Sequence, residues 1–109
     1  MSAHISFKMS PSVGRHDRCP VTEVVGLLSD GWTMLIIHHL LRAPAKTLHF
    51  CELERKLEGV STRTLTVKLK DLCKQGIVTK GEKGYLLTPL GRKLDPIIRE
   101  MERFGKQLL

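Results

Sequence analysis

The segment from residue 61 to residue 75 carries side chains suited to binding nucleic acid. Its leucines recur at i, i+4 and i+7, the spacing of one helix face: Leu65, Leu69 and Leu72. At about 100° per residue, a helix that turns these leucines inward presents a mostly basic face outward. That face consists of Arg63, Val67, Lys70 and Lys74, flanked by Thr64 and Thr66. Arginine can hydrogen-bond guanine through two nitrogens at once, and lysine neutralises phosphate.

A solvated surface helix is the simpler interpretation of such a face. The charges are nearly all of one sign, however, because Asp71 is the only acidic residue in 61–74 against four basic ones. A helix that is merely soluble usually mixes both signs along its surface. The sequence therefore favours a surface for a polyanion.

The elements next to this helix form a compact unit with it. Apolar residues at helical spacing predict a short helix from Phe50 to Leu57. Gly59 then suits a tight turn, and Ser61 suits the N-cap of the next helix. Gly76 suits that helix's C-terminal cap. The β-prone runs 77–79 and 85–87 enclose a glycine-containing turn, which predicts a hairpin.

Helices are also predicted on both sides of this unit. The first runs from Pro20 to Leu28, and the second starts at Trp32, is apolar around most of its circumference and ends before Pro44. An extended piece at residues 47–48 follows. The last helix starts at Thr88-Pro89, and its apolar positions continue at 4-3 spacing to the terminus.

This order is typical of a winged helix-turn-helix, a mainly α fold with a small β-hairpin whose second motif helix enters the DNA major groove. The first turns of such a helix reach base edges, and later residues meet the backbone. The predicted base-reading residues are Thr62, Arg63, Thr66 and Val67. The predicted phosphate-binding residues are Ser61, Lys70, Lys74, Lys80 and Lys83.

The apolar stripe of the last helix is longer than so small a domain can usually cover, which favours burial against a partner. A dimer also suits DNA recognition, because two half-sites add their binding energies.

Composition limits the classes of protein that this chain can belong to. A length of 109 residues predicts one domain and excludes a large enzyme with separate cofactor and substrate domains. With 41% hydrophobic and 27% charged residues the chain is not typical of disorder. The net charge is +7, and residues 46–84 contribute most of it, with nine basic and five acidic side chains. We expect a mobile arm over residues 1–18 and the folded domain over 19–109.

The apolar runs are far shorter than the roughly 20 residues of a membrane span, and the N-terminus lacks a signal-peptide pattern. We therefore expect a cytoplasmic protein without a membrane partner. An odd number of cysteines without a C-x-x-C pair, and histidines without ligand spacing, predict no disulfide framework, no metal site and no cofactor.

Cys19 is a candidate reactive thiol. It precedes Pro20 at the head of a helix and follows Arg18, and both the helix dipole and a nearby cation stabilise a thiolate. The alternative is that Cys19 is simply a small buried apolar side chain. Cys73 lies beside the core stripe of its helix and is expected to be structural.

Several fragments together resemble a known family. They are Cys19-Pro20, Gly31-Trp32-Thr33, Phe50-x-Glu52-Leu53, Gly59-Val60-Ser61-x-Arg63-x-Leu65-Thr66-x-Lys68-Leu69-x-x-Leu72, Gly76-Ile77-Val78 and Tyr85-x-Leu87-Thr88-Pro89-Leu90-Gly91. In order and spacing, over about residues 19–105, they are similar to the HxlR-type winged-helix transcriptional regulators, relatives of the MarR group. The segment between Val78 and Tyr85 is shorter than the usual wing of that family.

The resemblance implies a homodimeric repressor or activator that reads a palindromic operator, with the first and last helices forming the dimer interface. The residues expected in that interface are Val21, Val24, Leu94, Ile97, Met101, Phe104 and Leu108. The resemblance also implies a possible small-molecule or oxidant effector, and in some members the cysteine at the position of Cys19 senses electrophiles or oxidants.

The sequence also bears on two other functions. No motif of nucleophilic, paired-carboxylate or phosphate-cradling catalysis is present in the sequence, which argues against an enzyme. A winged-helix module that binds proteins rather than DNA is the remaining alternative, since a fold does not dictate its ligand.

Overall fold

The computed structural model describes residues 19–109, so the arm predicted over residues 1–18 lies outside the described residues. The elements in this part of the chain, in order, are α1 (Pro20–Leu28), α2 (Gly31–Arg42), α3 (Phe50–Lys56), α4 (Thr62–Lys74), β1 (Val78–Gly81), β2 (Gly84–Leu87), α5 (Pro89–Arg92) and α6 (Asp95–Leu108).

Helices α1 and α2 meet in a sharp corner of 88°. Pro20 occupies the start of α1, where its missing N–H costs no hydrogen bond. Asp30 is the N-cap of α2, and its carboxylate accepts a hydrogen bond of 2.9 Å from the backbone N–H of Trp32. Extended backbone at Ala43 ends α2. We refer below to the junction of α1 and α2 at Ser29 and Asp30 as the α1–α2 corner.

Helix α2 lies at the centre of the domain and packs against α1, α3, α4 and β2. It contributes Ile36, Ile37 and Leu40 to the core, as its largely apolar circumference predicts. The leucines of α4 that were expected to face inward are buried in the same cluster: Leu65, Leu69 and Leu72. Burial of these side chains holds α4 with its opposite face towards solvent.

The hairpin is short. Strands β1 and β2 pair antiparallel from Val78 opposite Leu87 to Gly81 opposite Gly84. Leu48, within the predicted extended piece, adds a bridge to Tyr85, with hydrogen bonds of 3.0 and 2.8 Å between their backbones. A Cβ atom at Gly84 would lie 2.5 Å from the carbonyl oxygen of Leu48, so this close approach requires glycine.

The last helix is not continuous, which corrects the prediction. Pro96 lacks an N–H and its ring would clash with the carbonyl of Arg92, so the chain breaks between α5 and α6. The break turns Leu94 into the domain, where it is 9% exposed and joins the core with Ile98. Leu94 was expected at the dimer interface, and that assignment is wrong, because this side chain is already covered by its own domain.

Within residues 19–109, no single helix is both long and apolar enough to cross a membrane, and α1 and α2 reach the necessary length only as a sharply bent pair.

Candidate nucleic-acid interface

Helices α3 and α4 form a helix-turn-helix. Gly59 adopts a positive φ of 91° in the turn, and the N–H of Val60 bonds the carbonyl of Leu57 at 3.0 Å. Ser61 is the N-cap of α4, where its hydroxyl accepts a hydrogen bond of 3.0 Å from the N–H of Thr64. The cap fixes the first turn of α4, the part of such a helix that reaches base edges.

The C-terminal end of α4 is equally well defined. Gly76 has a φ of 77°, its N–H bonds the carbonyl of Cys73 at 3.1 Å, and the N–H of Ile77 bonds the carbonyl of Leu72 at 3.0 Å. These two bonds make a Schellman cap. The chain therefore turns directly from α4 into β1, which packs against it.

The outward face of α4 is polar and exposed. Its exposed members include all four of the predicted base-reading residues: Thr62, Arg63, Thr66 and Val67. The hydroxyl groups of the two threonines both have partners within the domain. The Thr62 hydroxyl donates to the carboxylate of Glu54 on α3, and the Thr66 hydroxyl donates to the carbonyl of Thr62 at 2.8 Å. Arg63 and Val67 are exposed beside these threonines.

The predicted phosphate-binding residues are also exposed. They are Ser61, Lys70 and Lys74 along α4, and Lys80 and Lys83 on the hairpin. The Ser61 hydroxyl accepts the capping hydrogen bond and donates one of 2.9 Å to the hydroxyl of Thr64. The Lys80 ammonium lies 5.5 Å from the ring centroid of Tyr85, and the Thr47 hydroxyl bonds the carbonyl of Lys83 at 3.0 Å.

Lys68 differs from the other basic residues of α4. Its ammonium forms an ion pair with Asp30 in the α1–α2 corner, and the two side chains are 18% and 19% exposed. The sequence prediction gave Lys68 no role. Its position three residues after Leu65 and one before Leu69 was a signal, because it places Lys68 at the edge of the buried face.

A second exposed surface is apolar and is built from α1 and α6. Of the nine residues of α1 none is buried, and Val21 is 68% exposed. The face of α6 exposes Ile97, Met101, Phe104 and Leu108, with Phe104 at 62%. A groove of about 520 Å³ where these two helices meet α2 is lined by Val21, Val24 and Val25 of α1, Met34 of α2, and Ile97 and Met101 of α6. We call Val21, Val24, Val25, Ile97, Met101, Phe104 and Leu108 the α1/α6 apolar surface.

Helix α6 is tied to α2 by charge as well as by Ile98. Glu102 accepts hydrogen bonds from the Arg42 guanidinium, one of them 2.9 Å, and its carboxylate lies 3.4 Å from Nδ1 of His38. The Arg42 hydrogen bond lowers the pKa of Glu102 against a smaller opposing effect of burial, and the charges of Arg42, His38 and Lys106 add to the lowering.

Cys19 is exposed at the N-terminal end of α1. Hydrogen bonds from the backbone and hydroxyl of Thr22 and from the backbone of Val21 lower its pKa, and burial opposes them only weakly. Arg18, the expected cation, lies outside the described residues. The interpretation of Cys19 as a buried apolar side chain is wrong.

Cys73 is also exposed, so the expectation that it is structural is wrong. Its position beside the core stripe falls on the solvent side of α4. The part of the thiol that the domain does cover is enough to raise its pKa. Among residues 19–109, no three His, Cys, Asp or Glu side chains come together in a way that could hold a metal ion.

Comparison with known proteins identifies relatives over most of the chain. Residues 27–109 match the model of a family described as HxlR-like helix-turn-helix. The uncharacterized HTH-type transcriptional regulator sll1512 of Synechocystis sp. is 32% identical over 98 residues, which cover 84% of this chain and 70% of that protein.

Solved structures share the fold. A protein described as a transcriptional regulator of the MarR family from Porphyromonas gingivalis W83 superimposes with a TM-score of 0.76 at 35% identity, covering 85% of this chain and 95% of that one. The quinone-bound form of YodB from Bacillus subtilis gives a TM-score of 0.71 at 31% identity, covering 82% and 99%. The predicted winged helix-turn-helix, mainly α with a small hairpin, is confirmed.

Proposed function

We propose that this chain, which belongs to the HxlR-like helix-turn-helix family, binds a palindromic DNA operator sequence-specifically as a homodimer. Its coarser class follows from the family: it is a DNA-binding transcriptional regulator of the HxlR and MarR type. The observation that carries the finer proposal is the exposed basic face of α4, directed outward by three buried leucines and fixed at its first turn by the Ser61 cap.

On this face the residues have separate roles. Arg63, in the first turn, hydrogen-bonds a guanine, and Val67 contacts a thymine methyl group. Lys70 and Lys74, with Lys80 and Lys83 on the hairpin, contact phosphates and supply affinity that does not depend on sequence. The Thr62 and Thr66 hydroxyls donate within the domain, so these two threonines contact bases as hydrogen-bond acceptors or through their methyl groups.

The second copy of the chain occupies the α1/α6 apolar surface. No side chain of α1 is fully buried by its own domain, although Leu27 and Leu28 pack against the core, so most of the apolar surface of this helix stays exposed. Covering α1 and the exposed face of α6 together removes a contiguous apolar area from water. The two-fold symmetry of such a dimer is what a palindromic operator requires.

The experiment is selection of bound sequences from random double-stranded DNA with the purified protein, followed by titration of the selected operator at increasing salt. We expect a two-fold symmetric consensus and a steep, linear fall of log affinity with log salt. A winged-helix module that binds proteins would enrich no consensus and would show no such salt dependence. That result would overturn the proposal.

A thiol-based response at Cys19 is a further part of the proposed function. Its supporting observation is the exposed thiol with a lowered pKa at the head of α1, a helix of the proposed dimer interface. YodB, which shares the fold, has been crystallised with a quinone bound. Conjugate addition of the Cys19 thiolate to a quinone, or oxidation of Cys19 with a second thiol to a disulfide by diamide, which is reduced to the hydrazine, would alter the contacts of α1 and hence the dimer that presents the two α4 helices.

The response is tested by operator binding before and after treatment with diamide or a quinone. We expect wild type to change its affinity, Cys19→Ser to be unaffected, and Cys73→Ser to respond like wild type. Cys73→Ser is the matched control, because Cys73 is also exposed but its pKa is raised. Equal behaviour of wild type and Cys19→Ser would refute the sensor.

A further inference from the structure

One carboxylate in the α1–α2 corner has two tasks. Oδ1 of Asp30 caps α2 by accepting the N–H of Trp32 at 2.9 Å, while Oδ2 pairs with the ammonium of Lys68 on α4. The cap needs only an acceptor, and asparagine or serine would serve equally well there. A charged carboxylate is needed only for Lys68.

The environment of the pair is unlike that of the DNA-facing lysines. Lys68 is 18% exposed and Asp30 is 19% exposed, whereas Lys70 and Lys74 are exposed to solvent. Burial disfavours the charge on Asp30, but hydrogen bonds from Lys68 and from the backbone of Trp32, together with the charge of Lys68, outweigh it and lower its pKa. The pair is therefore a partly buried, hydrogen-bonded contact and not a loose surface pair.

The pair connects two parts of the molecule with different proposed tasks. Asp30 follows α1 after one residue, so its position is fixed by the corner that carries the dimer helix. Lys68 lies in the middle of α4, between Arg63 and Lys74. The buried leucines hold α4 on the core, and the directional Asp30–Lys68 contact beside them further restricts rotation and sliding of the helix.

We propose that Asp30 and Lys68 are positioning residues of the DNA site, which fix the orientation of α4 relative to the α1–α2 corner and thereby the half-site spacing that the dimer accepts. The proposal rests on the proposed function, since it takes DNA as the ligand of α4 and α1 as part of the dimer interface. Lys68 contributes to specificity without contacting DNA.

The physical reason is the geometry of a two-fold dimer. Two recognition helices must enter successive major grooves about 10 to 10.5 base pairs apart. The separation and angle of the two helices depend on how each α4 is held against its own α1, because the dimer surface includes α1. A loosened α4 accepts neighbouring spacings at a cost in affinity for the best one.

The DNA test compares Lys68→Met with Lys70→Met on the operator obtained by selection, and on the same operator with one base pair added or removed between its half-sites. For Lys68→Met we expect a loss of about tenfold on the best spacing, a smaller loss on the altered spacings, and an unchanged salt slope. For Lys70→Met we expect equal losses on all spacings and a salt slope reduced by about one per subunit. Lys68→Arg keeps the charge and should restore the spacing preference.

Two results would overturn the positioning role. A salt slope that falls in Lys68→Met as it does in Lys70→Met makes Lys68 a phosphate contact. An unchanged spacing preference in Lys68→Met, with wild type selecting an operator normally, removes its effect on geometry. Failure of wild type to select any operator is a different outcome, which overturns the proposed function itself and with it the spacing role.

A measurement without DNA tests the pair directly. Asp30→Asn retains an acceptor for the α2 cap and removes the charge, so urea unfolding of Asp30→Asn, Lys68→Met and the double variant forms a cycle. We expect each single change to raise the unfolding equilibrium constant about fivefold, and the double variant to resemble the single ones. Additive effects would show that the two residues do not act as a unit and would overturn the proposal.

Discussion

Helices α4 and α6 each pack one face on the core, but the exposed face of α4 is basic and that of α6 is apolar. Each packs one face on the core, through Leu65, Leu69 and Leu72 in α4 and through Ile98 in α6. The exposed face of α4 carries arginine and lysines, whereas that of α6 carries Ile97, Met101, Phe104 and Leu108.

The difference follows from what water does to each face. Charged side chains are well solvated, so the face of α4 costs nothing to leave exposed and remains available to a polyanion. Exposed apolar area on this scale is unfavourable in a lone domain, which supports the proposed burial of the α6 face against a second copy. One helix is thus suited to an exchangeable ligand and the other to assembly.

The largest effect is expected from placing a charge on the apolar face. Phe104→Glu should leave the fold intact, because Phe104 is 62% exposed, but it should prevent burial against a second copy. We expect a monomer by sedimentation equilibrium, and operator affinity lower by about 100-fold or more, because each subunit then binds a half-site alone.

Lys106→Glu is the matched control for this prediction. It places the same carboxylate on α6, two residues from Phe104 and therefore on the opposite side of the helix. This variant should remain a dimer. A dimeric Phe104→Glu protein would mean that α6 does not form the interface. The assignment of α6 to assembly would then be wrong.

The next effect concerns the basic face. Arg63→Ala should cost about 1–3 kcal/mol of operator binding and relax the preference at one base pair in each half-site. Competition with operators changed at single positions measures this loss, while the oligomeric state should not change. Equal weakening on operator and random DNA would assign Arg63 to the phosphate backbone instead.

Local signals in the sequence predicted α4 and its surroundings well. The leucine spacing, the Ser61 cap and the glycine at position 76 act within a few residues of one another, and the structure has each of them as predicted. These signals need no information from elsewhere in the chain, which is why the exposed basic face could be found without coordinates.

Two kinds of feature were missed: a local helix break at Pro96, and ion pairs that form only through tertiary contacts. The apolar 4-3 spacing continues through Pro96, so it predicted one helix, whereas the missing N–H of Pro96 divides this segment into α5 and α6. The same spacing placed Leu94 at the dimer interface, whereas this side chain lies in the core. The Asp30–Lys68 and Arg42–Glu102 pairs join residues far apart in the chain. Neither pair has a sequence pattern, because its partners meet only after the helices have packed.

A smaller effect is expected at the hairpin, which extends the basic surface of α4. Replacing Lys80 and Lys83 together by alanine should reduce the salt slope of operator binding by about one or two per subunit, with the consensus unchanged. Titrations at several salt concentrations measure the slope. An unchanged slope would show that this hairpin, with only residues 82 and 83 between its strands, does not reach the DNA, and would confine the basic site to α4.

The smallest effect concerns the attachment of α6 to its own domain. Because Arg42 holds the pKa of Glu102 below its ordinary value, the pair contributes stability above about pH 4 and loses it as the pH falls through the lowered pKa. Glu102→Gln should therefore lower the thermal midpoint slightly at pH 7, and the difference from wild type should shrink in acid. Glu100→Gln is the control, since Glu100 pairs with Arg103 on the same helix rather than with another element. A difference that persisted unchanged in acid would mean that the Glu102 side chain acts by packing rather than by its charge, and that α6, unlike α4, depends on apolar contacts alone for its position.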